Sequence, residues 1–124
     1  MSQLSDVPAL SLLVLRAVDP ERLCQFYGAL GLRFVREQHG SGPVHHASEM
    51  GESVFEIYPR KPEEPPTSGA RLGFNVRSLD RVLEALNLAK ATLISAPTST
   101  RYGRRAVVQD PEGHKIELLE RVSA

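Results

Sequence analysis

The chain carries an internal repeat, and a repeat of this length restricts the fold to one built from two similar modules. Leu15-Arg16-Ala17-Val18-Asp19 matches Val76-Arg77-Ser78-Leu79-Asp80 at an offset of 61 residues, and Glu56 matches Glu117 at the same offset. Repetition at a fixed spacing is the sequence signature of a duplicated structural unit. A chain of 124 residues has room for one compact domain made of two such units.

Each copy of the repeat is predicted to fold as a strand, a helix and three further strands. In the first copy, Asp19 suits a helix N-cap, Pro20 the first helical position and Gly31 the position just past the last turn. In the second copy, Ser78 is the predicted N-cap. Apolar spacing and turn residues predict strands at residues 10–15, 32–36, 44–49, 53–58, 71–77, 91–95, 105–109 and 115–119, with a loop at residues 97–104.

A polar, proline-rich segment separates the two copies. Residues 59–69 include four prolines, which lack the N–H groups needed inside a sheet or a helix. We therefore predict a first module over residues 1–60, a linker over residues 61–69 and a second module over residues 70–124. The predicted fold class is α+β, in which two tandem βαβββ modules form curved mixed sheets around a cleft, with the helices outside.

Composition limits the partners and the compartment. Fifteen Lys and Arg residues balance fifteen Asp and Glu residues, so neither nucleic acid nor an anionic membrane is expected as a partner. The apolar run at residues 10–15 is too short to span a bilayer. Cys24 is the only cysteine, so an intrachain disulfide is excluded and a cytoplasmic location is expected. We interpret Cys24 as a structural residue of the first helix. Zero net charge also favours self-association, and we expect a homodimer.

Glu56 and Glu117 are the first candidates for a functional site. Each is the one carboxylate in a largely apolar stretch, within Val54-Phe55-Glu56-Ile57-Tyr58 and Ile116-Glu117-Leu118-Leu119. Burying a carboxylate costs free energy unless it has a partner or a task. Two interpretations stay open. Either the pair is structural, with each glutamate held by an arginine, or it lines a cleft, where it binds a cationic or hydroxylated ligand or acts as general base.

Histidines near the first hairpin offer further contacts to such a cleft. His45 and His46 are adjacent, so on a strand they point to opposite faces and only one can face the cleft. We favour His45, as a substrate contact, a proton relay or a replacement metal ligand near the glutamates. The alternative is a polar hairpin in which His39, His45 and His46 are all solvated.

An arginine-rich loop in the second copy is a candidate for binding an anionic group. Arg101, Tyr102 and Arg104 surround Gly103, which supplies the bend, and Arg105 belongs to the following strand. Arginine binds carboxylates and phosphates through two parallel hydrogen bonds, so we predict that this loop closes over the cleft mouth. The alternative is a solvated loop without a ligand.

The order of these motifs resembles the vicinal-oxygen-chelate superfamily, which includes glyoxalase I, bleomycin resistance proteins and extradiol dioxygenases. The resemblance covers nearly the whole chain and implies two βαβββ modules. In the enzymes of this family, the first and the last strand of each module hold a divalent metal, so the resemblance also implies a possible metal site here. It rests on Val18-Asp19 with Phe26-Tyr27-x-x-Leu30-Gly31-Leu32, on Val54-Phe55-Glu56-Ile57, and on Asp110-Pro111-Glu112-Gly113-x-x-Ile116-Glu117-Leu118.

Only half of the ligands implied by this resemblance are present. Glu56 and Glu117 match the last-strand positions, whereas the first-strand positions fall on Leu12, or Leu13 by the internal repeat, and on Phe74. Neither Leu nor Phe can ligate a metal, and a 2-His-1-carboxylate iron site needs two imidazoles. We therefore expect no cofactor at the usual site. A divalent metal held weakly by the two carboxylates stays open as the alternative.

Two functional hypotheses follow. In the first, the protein resembles the metal-free bleomycin resistance proteins and binds a small organic molecule in the inter-module cleft, with Leu12, Tyr58 and Phe74 lining its floor. In the second, it is a lyase, isomerase or dioxygenase-type enzyme that uses Glu56 and Glu117 as catalytic residues with a remodelled divalent-metal site. The missing first-strand ligands favour the first hypothesis. In several relatives two subunits complete the cleft, which would place it between the chains of the expected homodimer.

Overall fold

Two βαβββ modules make up the protein, as predicted. A computed structural model describes residues 6–122, in which two helices and eight strands form two four-stranded mixed sheets. The elements are β1 (Leu12–Ala17), α1 (Pro20–Leu30), β2 (Val35–Glu37), β3 (His45–Met50), β4 (Ser53–Pro59), β5 (Arg71–Asn75), α2 (Leu79–Leu88), β6 (Thr92–Thr100), β7 (Gly103–Gln109) and β8 (Lys115–Arg121). Within residues 6–122, neither helix is long and apolar enough to cross a membrane.

The two sheets share one topology. The strand order is β1-β4-β3-β2 in the first sheet and β5-β8-β7-β6 in the second. In each module the first strand runs parallel to the last, and the other pairs are antiparallel. A parallel pair requires a crossover connection, which the helix of each module begins. The first strand therefore lies directly beside the strand that carries the glutamate.

Both helices begin where the sequence predicts. The Asp19 side chain accepts a hydrogen bond from the Arg22 amide at 3.2 Å, and the Ser78 hydroxyl accepts one from the Arg81 amide at 3.3 Å. These bonds satisfy N–H groups that the first turn leaves free. Gly31 ends α1 with a φ of +124°, a conformation that glycine adopts without steric cost.

One apolar core joins the two modules. It consists of the inward faces of α1 and α2 and the helix-side face of each sheet. Tyr27 of α1 is fully buried at its centre, with ring centroids 4.9 Å from Phe26, 4.8 Å from Phe55 and 6.1 Å from Phe74. Side chains alternate along a strand, and the neighbours of Glu56 and Glu117 point into the core. Each glutamate therefore lies on the face of its sheet that is turned away from the helices, which we call the concave face.

The repeat has two spacings in the structure rather than the single offset of 61. The helix N-caps, Asp19 and Ser78, are 59 residues apart, whereas Glu56 and Glu117 are 61 apart. Val14 pairs with Glu56 and Gly73 pairs with Glu117, again 59 residues apart. The match of Asp19 with Asp80 is therefore wrong. Module two has two more residues between its helix N-cap and its glutamate.

The long strand β6 lies between α2 and Glu117, and it replaces the first half of the loop predicted at residues 97–104. It runs from Thr92 to Thr100 and pairs with β7 through two register shifts, the mark of β-bulges. Only Arg101 and Tyr102 remain as a turn before β7 begins at Gly103. Pro97 is accommodated because β6 is an edge strand with an irregular ladder.

Candidate functional site

Glu56 lies in a concavity on module one. It pairs with Val14 of β1 and Ala47 of β3, and its side chain is 16% exposed. The concavity has a volume of about 620 Å³. We call it the module-one concavity; it is lined by Arg33, Val35, Glu37, Ala47, Glu49, Val54 and Glu56. Three carboxylates around an apolar floor give this face an acidic character.

His45 shares the concave face with Glu56, on the side favoured from the sequence. Its Nε2 atom lies 3.7 Å from Glu56 Oε2 and its ring stacks on Tyr58, with centroids 4.3 Å apart and planes 5° apart. His46 pairs with Ile57 and therefore points to the helix side of the sheet. Tyr58 lies on the concave face too, and Arg16 lies over its ring at 5.7 Å.

Glu117 lies in a separate concavity on module two. Its neighbours across the sheet are Gly73 and Val107, and it forms an ion pair with the guanidinium of Arg105. The space measures about 400 Å³, and we call it the module-two concavity; it is lined by Thr100, Arg101, Tyr102, Arg105, Glu117 and Leu119. Each glutamate thus faces a concavity built from its own module.

The usual metal site of the family does not fit these residues. The neighbours of Glu56 are Val14 and Ala47, and those of Glu117 are Gly73 and Val107, none of which carries a donor side chain. Arg105 already occupies the Glu117 carboxylate. The donor chemistry at these positions is therefore inadequate for a metal bound by the first and last strands.

Two of the predicted floor residues, Leu12 and Phe74, do not line the module-one concavity. Phe74 packs in the core, 6.4 Å from Phe55, because Gly73 pairs with Glu117 and the next side chain must point to the helix side. Its assignment to the cleft floor is wrong. Leu12 does share the face of Glu56 but lies at the sheet edge, 51% exposed.

The predicted arginine loop is only partly at a site. Arg101 and Tyr102 line the module-two concavity, with the guanidinium 5.0 Å from the ring centroid. Arg104 does not, because it pairs with Glu120 on the helix side of the sheet and reaches Asp80 of α2 at 3.2 Å. Its assignment to the ligand contacts is wrong. Arg105, predicted as a strand residue, provides the basic group beside Glu117.

A buried polar cluster between the modules was missed from the sequence. Asp110 accepts hydrogen bonds from Tyr27 Oη at 2.7 Å and from the backbone amides of Glu112 and His114 at 2.9 and 3.0 Å. His114 Nδ1 lies 2.9 Å from Asp110 Oδ2, and its Nε2 lies 2.7 Å from the Thr67 hydroxyl. Asp110-Pro111-Glu112-Gly113 indicates a turn, but only the fully buried His114 after it shows that the turn is also an inter-module contact.

The buried Tyr27 and the partly buried Cys24 have raised pKa values. The pKa of Tyr27 is raised well above its usual range, mainly by burial and further by the charge of Asp110 and the hydrogen bond that Tyr27 donates to it. Burial and the charge of Glu21 raise the pKa of the Cys24 thiol to about 11. Neither group faces a concavity described above, and both are consistent with structural roles, as predicted for Cys24.

Sequence comparison identifies the family. The profile of the Glyoxalase/Bleomycin resistance protein/Dioxygenase superfamily matches residues 9–118. The chain therefore belongs to that superfamily, and the resemblance inferred from its motifs is confirmed. Among curated proteins, no sequence matches the chain significantly.

Solved structures share the fold at low sequence identity. The antibiotic binding protein TnmS3 from Streptomyces sp. CB03234 is 20% identical, with a TM-score of 0.75 over 95% of this chain and 99% of that one. A glyoxalase/bleomycin resistance protein/dioxygenase family enzyme from Burkholderia phytofirmans PsJN is 22% identical, with a TM-score of 0.74 over 93% and 100%. A glyoxalase/bleomycin resistance protein from Streptomyces sp. CB03234 is 22% identical, with a TM-score of 0.68 over 90% and 100%.

Proposed function

We propose that the protein binds a small organic molecule against the concave faces that carry Glu56 and Glu117. The observation that carries this proposal is the module-one concavity, whose volume of about 620 Å³ falls within the range of about 300–1,000 Å³ usual for ligand sites. Its apolar floor and carboxylate rim favour a ligand with an apolar body and a cationic or hydroxyl group. The fold that this chain shares with the antibiotic binding protein TnmS3 is consistent with such a ligand.

The binding cleft of this proposal forms between two copies of the chain. The module-one concavity holds three glutamates and one arginine, whereas the module-two concavity holds two arginines and one glutamate. Opposite charge of this kind favours apposing module one of each subunit with module two of the other in a two-fold dimer. Leu12 and Val35, 51% and 63% exposed on the Glu56 face, supply apolar area for that contact.

Light scattering tests the proposed dimer, and ligand-dependent thermal unfolding tests the proposed binding of a small molecule. The scattering mass should be twice the 13.7 kDa of one chain, and the mass of a single chain would contradict the dimer. A panel of aromatic amines and polyhydroxylated aromatics supplies the probes. A compound at one hundred times its dissociation constant adds about 2.7 kcal/mol of stability, enough to raise the melting temperature by several degrees.

A carboxylate variant locates the binding site. Glu56→Gln should reduce the shift produced by an active compound while the melting temperature without ligand stays nearly constant. Glu63→Gln, in the exposed linker, is the matched control and should leave the shift unchanged. An equal shift in Glu56→Gln and the wild type would remove Glu56 from the site.

A lyase or isomerase is the second candidate, and one observation favours Glu56 as its base. Within residues 6–122, the ionic contact of Glu56 is the one with His45 at 3.7 Å, so its oxygens are not held by a guanidinium. Those of Glu117 are held by Arg105, which disfavours the predicted catalytic role of Glu117. Proton abstraction by Glu56 would exchange deuterium from D₂O into a bound carbon acid, and Glu56→Ala should abolish that exchange.

The strand bounds support the proposed division of the chain into modules. β4 ends at Pro59 and β5 begins at Arg71, which supports modules over residues 1–60 and 70–124 with a linker over residues 61–69. The absence of a second cysteine supports a cytoplasmic location.

A further inference from the structure

His45 is a buried imidazole whose free nitrogen points at two carboxylates. Its side chain is 1% exposed, and its Nδ1 lies 3.2 Å from the carbonyl oxygen of Pro43. Its Nε2 lies 3.4 Å from Glu37 Oε1 and 3.7 Å from Glu56 Oε2. Within residues 6–122, no hydrogen-bond partner satisfies Nε2. A buried nitrogen left in this state is rare in folded proteins.

The surroundings determine what Nε2 can bind. A carbonyl oxygen can only accept, so the contact with Pro43 requires the hydrogen of a neutral ring to be on Nδ1. Nε2 then presents its lone pair to the carboxylates of Glu37 and Glu56, and these three electron-rich groups repel one another at the buried ring of His45. A cation placed among them removes this repulsion.

We propose that Glu37, His39 and His45 bind a Zn²⁺ ion. One donor atom from each of the first three residues lies within 4.8 Å of the others. Glu37 Oε1 is 3.6 Å from His39 Nε2 and 3.4 Å from His45 Nε2. Tetrahedral zinc with bonds of about 2.0–2.1 Å places its ligands about 3.3 Å apart, close to the 3.4 and 3.6 Å that separate the Glu37 carboxylate from the two imidazoles.

The first hairpin builds this arrangement from sequence neighbours. Glu37 and His45 are directly paired between β2 and β3, and His39 follows Glu37 by two residues. The stacked ring of Tyr58 holds the His45 imidazole in its plane, and the carbonyl of Pro43 fixes its tautomer. Metal-ligating histidines usually have such a partner on their second nitrogen. The site differs from the usual one of the family, whose first-strand positions carry no donors here.

Zinc titration of the full chain, without any organic ligand, tests the proposal. Competition with a chromophoric chelator should give one Zn²⁺ per chain. His39→Ala and Glu37→Gln should each weaken binding by more than the 10–100-fold that outer-shell changes cause. His39 is exposed and Glu37 is partly exposed, so neither change should unfold the protein. Thermal unfolding of the metal-free variants checks this.

Two controls and one independent readout decide the outcome. Glu49→Gln removes a carboxylate from the same concavity, and His46→Gln removes an imidazole from the opposite face of β3; both should bind zinc as the wild type does. In ¹⁵N NMR, zinc should shift the ring nitrogens of His39 and His45 but not those of His46. No binding by the wild type, equal binding by His39→Ala, or a His45 ring protonated on both nitrogens at neutral pH would each overturn the proposal. Failure here leaves the proposed binding of an organic molecule intact, because that binding does not require the ion.

Discussion

The hydrogen bond between Tyr27 and Asp110 links α1 of module one to the β7–β8 turn of module two, and Tyr27→Phe removes it alone. The bond is 2.7 Å long and buried. Phenylalanine retains the ring contacts with Phe26 and Phe55. Asp110 keeps its bonds from two backbone amides and from His114. The substitution therefore reports on one charge-assisted bond rather than on packing.

The loss of stability expected for Tyr27→Phe follows from the type of bond that it removes. A hydrogen bond to a charged group contributes about 1.5–3 kcal/mol to stability. Unfolding entropy of about 2.1 cal/mol/K per residue, over 124 residues, gives about 0.26 kcal/mol/K for this chain. Tyr27→Phe should therefore lower the melting temperature by about 6–12 °C. It should lower the urea midpoint without changing the slope, since the surface exposed on unfolding stays the same.

Urea unfolding at one fixed protein concentration, for Tyr27→Phe, Asp110→Asn and the double variant, provides the test. The two single changes should be non-additive, with a coupling of at least about 1 kcal/mol, because both remove the same bond. A loss below about 0.5 kcal/mol for Tyr27→Phe, or strict additivity in the cycle, would refute the role of this bond in joining the modules.

The same residue gives the protein a pH dependence. The folded pKa of Tyr27 is raised above its ordinary value of 10.0, by burial first and by Asp110 second. Its contribution to stability is fully present below pH 10 and is lost as the pH rises further, because only the unfolded chain then releases the phenolic proton. Between the two pKa values the loss is about 1.4 kcal/mol per pH unit. Tyr27→Phe lacks this term, so its free energy of unfolding should converge on that of the wild type above pH 10.

Two further predictions concern the backbone at Gly103 and the reactivity of Cys24. Gly103→Ala should lower the free energy of unfolding in urea by more than about 2 kcal/mol, because φ is +139° and a Cβ would overlap the carbonyl oxygen of Glu120. Gly28→Ala, on the open face of α1, is its control and should raise stability by up to about 1 kcal/mol; similar values for both would contradict the steric cause. The pKa of Cys24, raised from 9.0 to about 11, should slow its alkylation at pH 8 about 100-fold relative to the unfolded chain, whereas equal rates would show an accessible thiolate.

The fold was predictable because its signals are local. Asp19, Pro20 and Gly31 determine the ends of α1 through hydrogen bonds within a few residues, and Ser78 does the same for α2. Strand bounds were less accurate, since the strand predicted at residues 32–36 is only Val35–Glu37. The predicted loop at residues 97–104 failed because β6 continues through Pro97 as a bulged edge strand, which propensity alone does not indicate.

The candidate site was less predictable because it depends on the register of paired strands. A register difference of one residue reverses the face of every side chain, and the alignment with the family's motifs placed Phe74 on the concave face that Gly73 actually occupies. Glu37 was missed for a related reason. Nothing in its own neighbourhood marks it as functional, and it becomes a candidate only because β2 pairs with β3 so that Glu37 lies opposite His45. The glutamates on β4 and β8 follow from the family's motifs, whereas the cluster at Glu37 follows from a cross-strand contact. The zinc titration therefore probes the cross-strand cluster at Glu37, and the Glu56→Gln ligand assay probes the family position on β4 of the same concave face.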